Sequence, residues 1–242
     1  MPMTSDQALP DTATHIAAHT TALTALHAAQ ARRRALDQVR EQMRGRSEFW
    51  VFAYASLIWK PAFEPAEQRI ARVWGHHRAL QMHSRLDRGT AQRPGLVFAL
   101  LPGGSCQGLV QRVHRPDDDA TLELLWSREM DTGVYRPRWL NCQTAHGPVH
   151  ALSFTLSRRS PSHAGDLSES QLLEILRHAR GRYGRTLDYL LHTAHALQAL
   201  GIRDTDVQRL VALAQRHRLL DGDAPHALTP WRQPLAQSAS AG

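Results

Sequence analysis

The sequence predicts an α+β domain: a many-stranded, largely antiparallel sheet or small barrel, with helices following it. Three observations carry this. Short runs of strand-forming residues recur between residues 49 and 156, punctuated by Gly and Pro pairs. From Ser168 onward the apolar spacing becomes that of amphipathic helices. The 242 residues are 42% hydrophobic and 21% charged, the profile of a chain that buries a core, and long enough for one generous domain or two small ones.

Taken in order, residues 1–12 are polar with two prolines and are expected to be disordered. Residues 13–44 are rich in Ala and Arg and free of Gly and Pro, which predicts a helix. Leu36, Val39 and Met43 give it a narrow apolar stripe. Arg32, Arg33, Arg34, Arg40 and Arg44 line the same segment, interrupted by Asp37 and Glu41. A helix packed on the main domain with a solvated basic face is expected ahead of one that binds RNA or a membrane surface. Strands are expected at Phe49–Tyr54, Arg69–Val73, Ala79–His83, Leu96–Leu100, Leu109–Val113, Tyr135–Leu140 and Val149–Leu156. Pro94-Gly95, Pro102-Gly103-Gly104 and Gly147-Pro148 read as breaks. A helix is expected over Asp117–Arg128, its first turn acidic as a helix N-terminus favours. Ser168 to Gln171 reads as a capping box before Leu172, Leu173, Ile175 and Leu176. Leu190, Leu191, Ala194 and Leu197 mark a second helix ended by Gly201, and Val207, Leu210, Val211 and Ala214 a third. Residues 224–242 are Pro-, Ser- and Ala-rich and read as a tail.

Charge and motifs exclude several classes of function. The formal net charge of +7 admits nucleic acid, an anionic membrane surface or an anionic small molecule and selects none; a solvated arginine-rich surface is expected ahead of a nucleic-acid face. The two cysteines, Cys106 and Cys142, form no CxxC pair, which argues against a disulfide scaffold or a thiolate zinc site and suits a reducing, cytoplasmic compartment. No apolar stretch approaches the roughly 18 residues of a membrane span, and the first residues lack the pattern of a secretory signal. The i, i+4 pairs His15/His19 and His146/His150 lack a third ligand, so no metal is expected. No phosphate loop, GxGxxG or GxSxG occurs. Cys106, set among glycines, reads as a small buried hydrophobe rather than a nucleophile.

Two segments can carry chemistry. Tyr54-Ala55-Ser56-Leu57-Ile58-Trp59 follows a predicted strand; backbone N–H groups leaving the ladder can hold a carboxylate there, with the Ser56 hydroxyl as an extra donor. Arg128-Glu129-Met130-Asp131-Thr132-Gly133-Val134-Tyr135 ends a predicted helix with a glutamate beside a glycine turn, where it can project into a pocket; a surface pair with Arg128 is the plain alternative.

At these two segments the sequence resembles the ChaC family of γ-glutamylcyclotransferases, which cleave glutathione. The family motif Y-G-S-L-I-W corresponds to residues 54–59. The resemblance continues through Gly75-His76-His77-Arg78, Arg88-Gly89-Thr90, Pro94-Gly95-Leu96, residues 103–108, residues 128–130 and 135–139, Leu187-Asp188-Tyr189-Leu190 and Gly201-Ile202-Arg203-Asp204. It covers most of residues 50–210, in order. It implies a small mixed β-barrel flanked by helices over residues 47–223, with residues 1–46 as an extension. It implies Glu129 as the catalytic residue, Tyr54, Ala55, Ser56 and Leu57 as the substrate-anchoring loop, and Tyr135 and Tyr189 as further pocket residues. The implied substrate is glutathione, cyclised to 5-oxoproline by its own α-amine, with no cofactor. Ala55 replaces the family's glycine: if that position needs φ > 0 the methyl strains the backbone, and if substrate passes close the methyl narrows the pocket. Another γ-glutamyl amine or peptide therefore stays open as substrate, as does a non-catalytic, basic RNA-binding or adaptor protein on the same fold.

Overall fold

The computed structural model describes residues 12–114 and 118–221, with side chains from residue 23; the polar start and the tail from 224 lie outside them, as do the His15 and His19 side chains. The first helix, α1 (Thr12–Met43), lays Leu36 and Val39 into the core and packs Met43 against it. Its stripe is narrow, so charge completes the seam. Arg40 pairs with Glu123, and Arg46, just past the helix, donates to His150 Nδ1 at 2.8 Å and lies 4.2 Å over the Trp139 ring. These arginines are turned onto the domain rather than out to solvent.

A five-stranded barrel follows, closed in the order β1-β3-β2-β4-β5. β1 (Trp50–Ala53) is buried along its whole length. It pairs antiparallel with β3 (Gly95–Arg112) and closes the barrel through one parallel pairing, Val51 with Leu152 on β5 (Gly147–Thr155). β2 (Glu67–Ser84) pairs with β3 along its length and with β4 (Arg136–Thr144) near Val73. The arrangement is the α+β barrel that the sequence predicts, with one difference in its making. Four expected runs fuse into two long strands, because the glycines between them form bulges rather than turns. The register slips between Trp74 and His76, opposite Gly103 and Gly104, whose φ of +100° and +69° suit the extra residue of a bulge.

α2 (Ser56–Trp59) is a single turn directly after β1. α3 (Asp118–Glu129) matches its expected span to one residue at each end. α4 (Glu169–His178) begins with the capping box read at Ser168 and Gln171, both hydrogen bonds present. A two-rung hairpin, β6 (Arg180–Gly181) and β7 (Gly184–Arg185), leads into α5 (Thr186–Ala199), then α6 (Thr205–Arg216), whose N-cap is Asp204. The hairpin leaves no periodic signal. Its backbone is pinned to the loop after β2, Arg182 N to the Leu86 carbonyl and Tyr183 N to the Asp87 carbonyl, both at 2.9 Å. Gly181 is needed there, since a Cβ would stand 2.4 Å from the Leu86 oxygen.

One buried cation holds barrel and helices together. The Arg78 side chain, wholly inaccessible, ion-pairs with Asp204 and donates to the carbonyls of Tyr54 and Gln107. An unpaired guanidinium there would be prohibitively costly, so the helix α6 cap, the strand β3 and the exit of β1 must meet at this point.

Candidate active site

A cavity of about 500 Å³ opens where β1 hands over to α2 and α3 ends. Four of the expected residues line it: Ser56, Glu129, Tyr135 and Tyr189. Ser56 begins α2, Glu129 is the last residue of α3, Tyr135 precedes β4, and Tyr189 stands in the first turn of α5. The other three do not line it. Tyr54, Ala55 and Leu57 are buried in the core, so this loop meets the cavity through Ser56. Ala55 has φ −145°, outside the left-handed region, and does not line the cavity, so the strain foreseen for a positive φ does not arise.

Arg128 joins the two halves. Its Nε lies 3.1 Å from Glu129 Oε1, its Nη2 donates to Ser56 Oγ at 3.0 Å, and its Nη1 donates to the Lys60 carbonyl. The surface pair named as the plain alternative is instead part of a pocket wall, with the Glu129 side chain only 13% exposed. Burial pushes the Glu129 carboxyl above its ordinary pKa; the Arg128 guanidinium partly offsets this, and the nearby Asp87 carboxylate adds to it. Desolvation outweighs the ion pair.

Three phenols surround this carboxyl. Burial, and then the charge of Glu129, raises Tyr54 well above an ordinary phenol. Burial and its neighbour Tyr54 do the same to Tyr135, and burial pushes Tyr189 up to about 12. All three stay protonated and act only as neutral hydrogen-bonding groups. Tyr54 donates to the Phe154 carbonyl at 3.0 Å and is hydrogen-bonded to Tyr135. The Tyr189 hydroxyl accepts from Phe98 N at 3.3 Å. Its ring is held by Phe98, Trp59 and the Arg88 guanidinium, 5.2 Å above it.

Sequence reasoning left several lining residues without a role. Arg88 was visible only as part of Arg88-Gly89-Thr90, yet its guanidinium is brought to the cavity and bonded to the Tyr183 carbonyl. Asp87, paired with Arg182 at 2.6 Å, and Tyr183, with the Lys60 ammonium 5.1 Å from its ring, complete the rim. Their convergence depends on the small hairpin, which has no sequence signature. Five cationic side chains face three carboxylates around the cavity, an excess that favours an anionic ligand.

A closed mixed barrel with a desolvated carboxyl at its mouth, beside the loop that leaves the first strand, places the chain among proteins of γ-glutamylcyclotransferase fold. It superposes on the crystal structure of a γ-glutamyl cyclotransferase specific to glutathione from yeast with a TM-score of 0.62 at 18% identity, covering 72% of this chain and 97% of that one. Residues 49–217 match the family model described as ChaC-like protein, and the chain belongs to that family. Relatives include the glutathione-specific γ-glutamylcyclotransferase of Escherichia coli (strain K12), 33% identical over 168 residues, which are 69% of this chain and 73% of that protein. The glutathione-specific γ-glutamylcyclotransferase 1 of Homo sapiens is 28% identical over 162 residues, 65% and 73% of the two chains. Among the described residues no helix is long and apolar enough to cross a membrane.

Proposed function

We propose that this protein is a lyase that converts glutathione to 5-oxoproline and cysteinylglycine, with Glu129 carrying the protons. The observation that bears most weight is the desolvated Glu129 carboxyl, sharing one cavity with Ser56 and tied to it through Arg128. The glutathione α-amine attacks the γ-glutamyl carbonyl carbon, a five-membered ring closes, and the bond to the cysteinyl nitrogen breaks. Cyclisation is intramolecular, so much of the barrier falls when the reactive conformer is held; orientation of this kind corresponds to effective molarities of about 10⁵–10⁸ M.

Proton transfer is the other demand. The attacking amine must lose a proton, and the departing amide nitrogen must gain one, since an amide anion is a very poor leaving group. One carboxyl takes the first and returns the second. Glu129 suits both steps because burial raises its proton affinity towards that of its partners. The γ-carbonyl oxygen gathers charge as the ring closes and needs a donor; Tyr189, which accepts from Phe98 N, keeps its own proton to give. The cationic excess at the mouth favours the two carboxylates of glutathione. Two free, buried cysteines suit the reducing cytoplasm, where this substrate is abundant.

The direct test is incubation with glutathione and detection of 5-oxoproline; no release above the blank rejects the reading. Glu129 must be ionised to accept the amine proton, and its pKa in the fold is raised. Activity is therefore lost on acidification at a pH above the usual carboxylate range. A kcat/KM profile whose acid limb falls within that range contradicts the assignment. Ala55→Gly is expected to leave KM for glutathione within about two-fold, because the methyl does not line the cavity. Steady-state kinetics of that variant check this.

A further inference from the structure

Helix α1 lies outside the residues matched to the family, yet its side chains reach both ends of the helix that ends on Glu129. Leu36 and Val39 are buried in the same core cluster as Leu122, Leu125 and Met130. From the same seam two half-buried arginines reach the two ends of α3. Arg40 pairs with Glu123 and stands 3.7 Å from Asp119, in the first two turns. Arg32 Nη1 donates to the Asp131 carbonyl at 3.3 Å, two residues beyond Glu129. Gly133, in the same turn, lies against this guanidinium, since a Cβ there would be 3.5 Å from Nη1. Arg33 and Arg34, next along the helix, face solvent.

We propose that α1 is a splint for α3, and that Arg32 is a positioning residue that fixes how Glu129 enters the cavity by holding the turn after it. The inference rests on the reading of Glu129 as proton carrier. Glu129 is the terminal residue of α3, where the backbone loses its helical partners and fraying begins. Two backbone hydrogen bonds hold the turn from within, Met130 N to the Trp126 carbonyl and Gly133 N to the Met130 carbonyl. Asp131, Thr132 and Val134 of that turn themselves line the cavity. Arg32 supplies the grip from outside. A displacement of about 1 Å in a reacting group can cost 10²-fold in rate, so a loosened turn is expected to show in turnover before it shows in stability.

The test compares the full-length parent with Arg32→Ala, Arg32→Lys and, as a control on the solvent face, Arg33→Ala. Arg32→Ala is expected to lower kcat for glutathione about ten-fold with KM within about two-fold, and Tm within about 3 °C. Arg32→Lys restores most of the loss, and Arg33→Ala changes nothing. The second readout needs no activity: the Glu129 carboxyl is followed by carbon-13 NMR titration. Arg128, Asp87 and the phenols of Tyr54, Tyr135 and Tyr189 face that carboxyl, and none is altered. A looser turn admits water, so Arg32→Ala titrates lower than the parent, whereas mere loss of a positive charge moves it higher. A titration that rises or stays fixed overturns the splint, as does a kcat that falls only together with Tm and is not recovered by Lys. If the parent releases no 5-oxoproline while the titration still moves down, the splint stands and the reading of the site fails.

Discussion

Glu129→Gln is expected to lower turnover of glutathione about 10²–10⁴-fold, the usual worth of a positioned acid and base, while the protein stays folded. The amide fills the volume of the carboxyl and keeps an oxygen that Arg128 can reach, so the wall joining Ser56 to α3 is preserved. What disappears is the ability to take a proton and give it back. The stability of this variant is a second reading of the same physics. Burial raises the carboxyl's pKa in the fold, so the folded state binds the proton more tightly than the unfolded chain. The contribution favourable to folding is present below the unfolded pKa and is lost as pH rises through the folded one. At neutral pH the ionised carboxylate therefore opposes folding, and the neutral amide of the variant relieves it. Thermal denaturation of the two proteins should show the variant's advantage at neutral pH shrinking in acid. A variant that keeps its kcat refutes the role; one that loses both kcat and its fold leaves the role to be read from the acid limb of the parent's kcat/KM profile.

Arg78→Met is expected to destabilise the protein by about 3–5 kcal/mol, a fall in Tm on the order of 10 °C for a domain of this size. Methionine fills similar space, but the carbonyls of Tyr54 and Gln107 lose their donor and Asp204 loses its counter-charge. Asp204 is partly exposed and can be rehydrated, which holds the loss towards the lower end. Asp204→Asn is expected to cost at least as much, because it leaves the wholly inaccessible Arg78 guanidinium without its counter-charge, even though an asparagine still caps α6 through Val207 N. Urea denaturation of the two variants gives the comparison. A clearly smaller loss for Asp204→Asn would mean that the carbonyl contacts, rather than the ion pair, dominate the cluster.

The Arg78 cluster also marks where sequence reasoning stops. Gly75-His76-His77-Arg78 and Gly201-Ile202-Arg203-Asp204 can each be read from the chain, but that they meet through one guanidinium is a fact of three dimensions. Strand-forming runs were legible because side-chain type reports the pleated environment. Their continuity was not, because a glycine with positive φ looks the same in a bulge as in a turn, as Gly103 and Gly104 illustrate. α3 was legible nearly to the residue from its acidic start and its glycine-containing exit. The β6–β7 hairpin was invisible, each strand being two residues long and held by the Leu86 and Asp87 carbonyls rather than by its own composition. For the site, motif order singled out Glu129 and Ser56. The environment of Glu129 came only with the fold, since burial, Arg128 and Asp87 together set its proton affinity.

The pairing of Arg78 with Asp204 has a consequence for biosynthesis. Strand β2 leaves the ribosome long before α6, and domains of this kind emerge from the N-terminal end first. Until residue 204 is translated, the guanidinium that will underpin the exit of β1 has no carboxylate to meet. A growing polypeptide thus carries Ser56 and Glu129 without this strut until residue 204 is made. Turnover is therefore expected only after residue 204 has been translated.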